Sequence, residues 1–200
     1  NDPQQASMIC ELVDIVPTVP HNVSNALAAA GLARAMNVPH DVIQKALQAF
    51  RPGRHRIETI HEADGITWVD DSKATNPHAA IASLLSYFNV IWIAGGLAKG
   101  ASMDELAKRA GSRIKSIILI GQDREIIAQA FAQHSPTTHL VRVDQSSDAK
   151  QLMKDVVAEA KKTAKSGDTV LLAPACASMD QFDSYVERGQ LFAQAIKELV

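Results

Sequence analysis

The sequence predicts an α/β fold: a mostly parallel sheet with helices on both faces, opened by a hairpin and preceded by two helices. Short β-branched runs alternate five times with amphipathic helical patterns after residue 65, and the connections are long enough for crossovers. Asp64-Gly65 sits between two strand-like runs in "IETIHEADGITWVD", where its tolerance of positive φ suits a tight turn.

Taken in order, "ASMICELVDIVPTVPH" at 6–21 reads as a strand and then an irregular prolyl segment, although a lone strand has no sheet to join. Ala26, Leu27, Ala29, Ala30, Leu32, Ala33 and Met36 recur at helical spacing, as do Val42, Ile43, Ala46, Leu47 and Phe50 in a second helix over about 39–50. These elements enclose too little core to stand alone, so residues 1–50 are expected to be the tail of a domain whose body lies elsewhere, and the chain a fragment. "RPGRHR" at 51–56 reads as a linker, its basic side chains facing solvent or an anionic ligand. After the hairpin, strands are expected near 90–94, 114–120, 139–143 and 169–173, and helices from about Pro77, Ser102, Asp123, Ser147 and Asp180. Several boundaries have local causes. Asn76 before Pro77 suits a cap and first-turn proline, Ser102 and Glu105 have capping-box spacing, and Gly111 and Gly167 fall where helix C-caps belong.

Composition narrows the partners. With 46% hydrophobic residues in 200 the chain can fill a core, and 20 basic against 22 acidic side chains give no reason to expect nucleic acid or an anionic membrane. No apolar stretch approaches the roughly 20 residues that span a bilayer. No secretory signal opens the chain, and Cys10 and Cys176 lack disulfide or zinc spacing, so a cytoplasmic setting is expected. Seven histidines without a metal-ligand pattern lead us to expect no protein-only metal site.

Ligands of parallel sheets bind beyond the carboxyl ends of the strands, which directs attention to "DDSKATNP", "GGLAKGAS", "GQDRE" and "PACASMDQF". The first offers the acceptors Asp70 and Asp71, the point charge Lys73, and the hydroxyl and amide groups of Ser72, Thr75 and Asn76, a set that could grip a ribose, phosphate or carboxylate. Thr75 or Asn76 could equally cap the following helix, a role that needs neither Asp71 nor Lys73. Lys99 rides on a glycine loop that lacks both the Walker and the dinucleotide-binding patterns; it is either a ligand contact or an exposed lysine on a turn. Ser178 is either a helix cap or a contact for an anion beside free backbone N–H groups. Cys176 reads as a small buried residue rather than a nucleophile.

Four segments taken together, "HNVSNALAAAGLA", "GRHRIE", "DDSKATNPHA" and "LLAPACASMDQFDSYVERGQLF", resemble the Mur ligases in the same order over residues 21–200. Within that family the resemblance is to members that join D-glutamate to UDP-N-acetylmuramoyl-L-alanine in peptidoglycan precursor synthesis. It implies that residues 1–50 end a central ATP-binding domain and that 51–200 form a C-terminal Rossmann-like domain for the amino acid. The chemistry implied is ATP-dependent: an acyl phosphate forms on the alanyl carboxylate and the amine of D-glutamate attacks it. Carried onto this sequence, Thr75 and Lys99 would hold the α-carboxylate, and Ser178 with the backbone near Met179 and Tyr185 the side-chain carboxylate. Asn25 would face adenine, Asp71 the ribose and Arg56 the phosphates, with Lys73, a candidate catalytic group, close by. Met179 and Tyr185 stand where some relatives carry leucine and phenylalanine, and "GGLAKG" where some carry "GGDGK". The ATP glycine loop and the Mg2+ ligands of the family are not among these residues, so ATP and Mg2+ belong to a longer enzyme with its N-terminal and central domains, and this stretch alone is expected to be inactive. The alternatives are a related Mur or folylpolyglutamate ligase for another amino acid, and a non-catalytic nucleotide-binding α/β module.

Overall fold

A computed structural model describes residues 8–146 and 148–199 and divides the chain into two compact units, Asn1–Gly53 and Arg54–Val200. The division falls inside the stretch read as a linker.

The first unit contains α1 (Pro20–Ala35) and α2 (His40–Ala49). In place of the expected strand, the described residues before α1 hold a single 3-10 turn, Leu12–Asp14, in which the Glu11 N–H donates to Asp14 Oδ2 at 3.1 Å. A strand there would have no partner for its backbone groups, whereas the turn satisfies them locally. Pro20 occupies the first turn of α1, where its missing N–H costs nothing. Ala26, Ala30 and Ile43 are buried, but Leu27, Leu32, Met36 and Phe50 are 69%, 72%, 82% and 63% exposed. The apolar stripes read from the sequence are therefore wider than the surface this unit covers.

The second unit is a six-stranded sheet in the order β1-β2-β6-β3-β4-β5. Its strands are β1 (Glu58–Ala63), β2 (Ile66–Asp70), β3 (Val90–Gly95), β4 (Ile114–Ile120), β5 (His139–Arg142) and β6 (Thr169–Leu172). Only β1 runs antiparallel to its neighbour; the turn joining it to β2 places Asp64 at φ 53° and Gly65 at φ 74°, the paired left-handed conformation of a two-residue hairpin. The helices are α3 (Pro77–Leu84), α4 (Asp104–Ala110), α5 (Arg124–His134), α6 (Ala149–Thr163) and α7 (Tyr185–Leu199). Because side chains alternate across a strand, Ile91 and Ile93 pack with Val156 and Phe192 of α6 and α7, while Trp92 points to the other face and meets Phe131 of α5. Both faces are covered, as the near-continuous burial of β3, β4 and β6 requires.

Several expected boundaries move. Asn76 caps α3 by accepting from the Ala79 N–H at 3.0 Å with Pro77 behind it. Ser102 and Glu105 form no capping box; the Ser102 hydroxyl instead turns onto Asp104, donating to Oδ2 at 2.7 Å, and α4 starts at Asp104. Gly111 is helical at φ −52° and leads into a 3-10 turn rather than a left-handed cap. Gly167 lies past the end of α6 and donates its N–H to Gly65 at 2.8 Å, tying the hairpin turn to the approach to β6. Ser147, expected near the start of α6, lies outside the described residues; Asp148 caps that helix. The last helix starts at Tyr185, not Asp180, because residues 178–182 form an isolated turn and Ser184 accepts from the Glu187 N–H.

One close approach sets how α7 sits on the sheet. Gly189 faces the buried pair His55–Asp70, whose Nδ1 and Oδ2 are 2.6 Å apart, and a Cβ at this position would lie 2.3 Å from His55 Nδ1 and 2.6 Å from Asp70 Oδ2. Gly189→Ala is expected to cost about 1–3 kcal/mol in urea unfolding, the range for overpacking, whereas Gln190→Ala on the exposed side of the helix should change stability little.

Candidate functional site

The loops that leave β2, β6 and β3, adjacent in the sheet, meet at its carboxyl edge through their backbones. The Ala175 N–H donates to Ala74 at 3.0 Å and the Gly95 N–H to Pro174 at 2.9 Å. Leu97 and Ala177 exchange two backbone bonds of 2.9 and 3.0 Å. That crossing needs a glycine: Gly96 has φ 128°, and a Cβ there would lie 2.1 Å from the Ala177 carbonyl oxygen. Asp123, expected only to start α5, closes the β3 loop from behind by accepting from the Ala98 N–H at 2.8 Å. The chain then reaches Lys99, itself left-handed at φ 52°.

Behind this rim lies Arg188, fully buried on α7. Its Nε donates to the Ser72 hydroxyl at 2.9 Å, one terminal nitrogen to the Ser72 carbonyl at 2.9 Å, and the other to the Cys176 carbonyl at 3.3 Å. The Ser72 hydroxyl in turn donates to the Tyr185 carbonyl at 2.7 Å. Burial pulls the Arg188 guanidinium down to about 10, which leaves it charged at neutral pH, and pushes the Cys176 thiol up to about 12, which rules out a resting thiolate. Arg188 is a structural centre outside the candidate residues that the sequence motifs single out. The signal was present: Arg188 lies three residues after Tyr185 and four before Phe192, on the stripe that α7 buries.

In front of the rim, Thr75, Lys99, Ser178, Met179 and Tyr185, with Ala177, Asp183 and Ser184, line a pocket of about 250 Å³. All five residues expected at the amino acid are thus brought together. The Thr75 and Ser178 hydroxyls and the Lys99 ammonium have no hydrogen-bond partner among the described residues, although Ser178 is only 5% exposed. Ser178 is not the helix cap considered as its alternative, since α7 begins at Tyr185. Lys73 Nζ rests 3.9 Å above the Tyr185 ring, a cation–π contact at the pocket wall.

The residues expected at the nucleotide are placed differently. Asn25 lies in the first unit, exposed on α1. Arg56 is exposed and makes no hydrogen bond among the described residues. Asp71 turns inward, at 7% exposure: Oδ2 accepts from the Ser83 hydroxyl and Oδ1 from the Ile57 N–H at 3.4 Å. Burial pushes its carboxyl up to about 7, with Asp70 adding to the shift and Ser83, Ile57 and Arg56 opposing it. His55, read as part of a solvated basic linker, is buried at φ 62° against Asp70, and its carbonyl accepts from the Lys73 N–H at 3.1 Å.

His55, Glu58 and Asp70 bring candidate metal-ligand atoms within 4.8 Å of one another, the one such group among the described residues. Their donors are turned on each other: Glu58 Oε2 accepts from the His55 N–H at 3.0 Å, and Asp70 accepts from the Ser72 N–H at 2.8 Å besides its bond to His55. The group fits a latch on the 54–57 segment better than a cation site.

The family described as "Mur ligase, glutamate ligase domain" matches residues 55–176. A UDP-N-acetylmuramoylalanine--D-glutamate ligase of Streptomyces avermitilis is 50% identical over 196 residues, covering 98% of this chain and 42% of the relative. One from Frankia casuarinae is 52% identical, covering 92% of this chain and 38% of the relative. This chain therefore spans about two-fifths of the length of such relatives. Among solved structures, a pseudomurein peptide ligase type C from Methanothermus fervidus superposes with TM-score 0.64 at 19% identity, over 90% of this chain and 36% of that one. The UDP-N-acetylmuramate-alanine ligase of Thermotoga maritima gives 0.62 at 17% identity, over 90% and 39%. A Mycobacterium tuberculosis folylpolyglutamate synthase solved with ADP and AMPPCP gives 0.57 at 15% identity, over 90% and 40%. At these identities the structures establish the shared fold.

Replacing Arg188 by methionine is expected to cost about 2–3 kcal/mol in urea unfolding, because buried acceptors on Ser72 and Cys176 lose a charged donor. Arg188→Lys should rescue little, since a single ammonium cannot reproduce the fork. Asp71 predicts a pH dependence. Its folded carboxyl binds a proton more tightly than the unfolded one near 3.8, so its contribution to stability is full below about pH 4 and is lost as pH rises through about 7. Asp71→Asn should remove that slope, about 1.4 kcal/mol for each pH unit crossed, from unfolding free energies measured across the window.

Proposed function

The chain belongs to the Mur ligase family, and from that premise we propose that it is the amino-acid-binding end of an ATP-dependent ligase that adds D-glutamate to UDP-N-acetylmuramoyl-L-alanine in cytoplasmic peptidoglycan precursor synthesis. The observation that carries this reading is the convergence of unpartnered donors from the β2, β3 and β6 loops, Thr75, Lys99 and Ser178, on one pocket sized for a small anion. High identity to relatives named for D-glutamate supports that amino acid.

In this reading Lys99 and the Thr75 hydroxyl take the α-carboxylate of D-glutamate. The Ser178 hydroxyl and the backbone at Met179 and Tyr185 take the side-chain carboxylate. Holding both carboxylates orients the nitrogen without engaging it in those contacts, which converts an encounter in solution into a positioned attack. ATP, bound by the longer enzyme, supplies the phosphoryl group that activates the alanyl carboxylate; attack by the amine then forms the amide as phosphate leaves and the nitrogen gives up its protons. Asn25 and Arg56 are the exposed side chains offered to adenine and phosphates. Asp71, the acid proposed for the ribose, also accepts from the Ile57 N–H and so fixes the backbone beside Arg56. Lys73 places its charge beside the pocket through its seat on the Tyr185 ring. Mg2+ falls to residues of the longer enzyme, since His55, Glu58 and Asp70 are engaged with one another. The unit Asn1–Gly53, with Leu27, Leu32, Met36 and Phe50 exposed, is read as the end of the ATP-binding domain, whose remaining body would cover them.

Phosphate release by the longer enzyme, measured with UDP-N-acetylmuramoyl-L-alanine and different amino acids, tests the assignment. D-glutamate should be the preferred nucleophile, and preference for L-lysine or diaminopimelate would sink it. Lys99→Ala should raise the KM for D-glutamate about tenfold or more, the value of a charge-assisted hydrogen bond, with Thr75→Ala having a smaller effect in the same direction.

A further inference from the structure

We propose that Asp183 is the specificity-determining acid of this pocket and reads the ammonium group of the incoming amino acid, an assignment that rests on the function proposed above and extends it from the carboxylates to the nitrogen. Asp183 lines the same pocket as Thr75, Lys99 and Ser178. Its backbone is held on both sides. The preceding Phe182 is 5% exposed, the Asp183 N–H donates to Glu187 Oε2 at 2.6 Å, and Ser184 caps α7 through the Glu187 N–H at 3.1 Å. Glu187 thus supplies the negative charge at the start of α7, and the carboxylate of Asp183 is not consumed in capping. It has no hydrogen-bond or ion-pair partner among the described residues.

Lys99 presents the opposite charge to the same space, also unpartnered, and the two do not pair with each other. A cation and an anion that line one pocket without pairing are complementary to a zwitterion, in which carboxylate and ammonium stand on one carbon. The charge balance leads to the same place. An acid in a pocket for a dicarboxylate weakens binding by repulsion unless the ligand turns a positive group toward it. Asp183 therefore selects amino acids over dicarboxylates that lack the amine, and it sets which way the nitrogen points when Lys99 and Ser178 hold the two carboxylates.

The test is an NMR titration of the 200-residue chain with D-glutamate and with glutarate, the same dicarboxylate without the amine, for the unmodified chain and for Asp183→Asn. The unmodified chain should prefer D-glutamate by about three- to fivefold, the scale of an exposed ion pair. Asp183→Asn should abolish the preference, with glutarate binding as well as before or better. Lys99→Ala should weaken both ligands and leave the preference in place. A preference that survives Asp183→Asn, or equal binding of both ligands to the unmodified chain, overturns the role of Asp183 alone. If neither ligand moves the amide signals of Thr75, Lys99 and Ser178, the pocket assignment falls as well. Superimposable spectra away from the pocket would show that each variant is folded.

Discussion

A buried guanidinium joins the two loops on which the site depends. Ser72 follows β2 and Cys176 follows β6, and Arg188 of α7 donates to the carbonyl oxygens of both as well as to the Ser72 hydroxyl. Arginine suits this position because its planar fork presents several donors in fixed directions and keeps its charge when desolvated. Burying that charge without a carboxylate partner is unfavourable, and three oxygen acceptors offset the cost. The Ser72 hydroxyl passes the constraint on to the Tyr185 carbonyl, so the start of the same helix is tied to the loop that its arginine holds.

This framework separates two populations of polar groups. Arg188, Ser72, Asp123 and the backbone of 95–97 and 174–177 satisfy one another and set the shape of the rim. Thr75, Lys99, Ser178 and Asp183 are left facing the pocket without internal partners. A rim built from backbone bonds between neighbouring loops leaves the polar side-chain atoms of those four uncommitted, as a preorganised ligand pocket requires. Gly96 and Gly189 mark where backbones or helices approach too closely for any side chain.

The segment that enters the second unit is held in a different way. His55 and Ile57 both adopt left-handed backbone, at φ 62° and 48°, which for a β-branched residue is costly. Asp70, Asp71 and the Lys73 N–H each bind this segment, at the His55 ring, the Ile57 N–H and the His55 carbonyl. The paired acids that stood out in the sequence thus face inward, and the exposed Arg56 is carried on a backbone fixed at both neighbours.

Much of the second unit was legible in the primary structure because its signals are local. Asp64-Gly65 marks a hairpin, Asn76-Pro77 a helix start, and the all-apolar run at Val90–Gly95 a strand buried on both faces. The candidate residues Thr75, Lys99, Ser178, Met179 and Tyr185 could be named because strand ends collect ligands and because their motifs resemble a family's, whereas their meeting at one pocket required the strand order β2-β6-β3. Tertiary structure alone decided the inward turn of Asp71, the burial of His55, the late start of α7 and the central place of Arg188. Each is settled by which long-range partner lies within hydrogen-bonding distance, and spacing along one chain carries no information about partners up to 116 residues away.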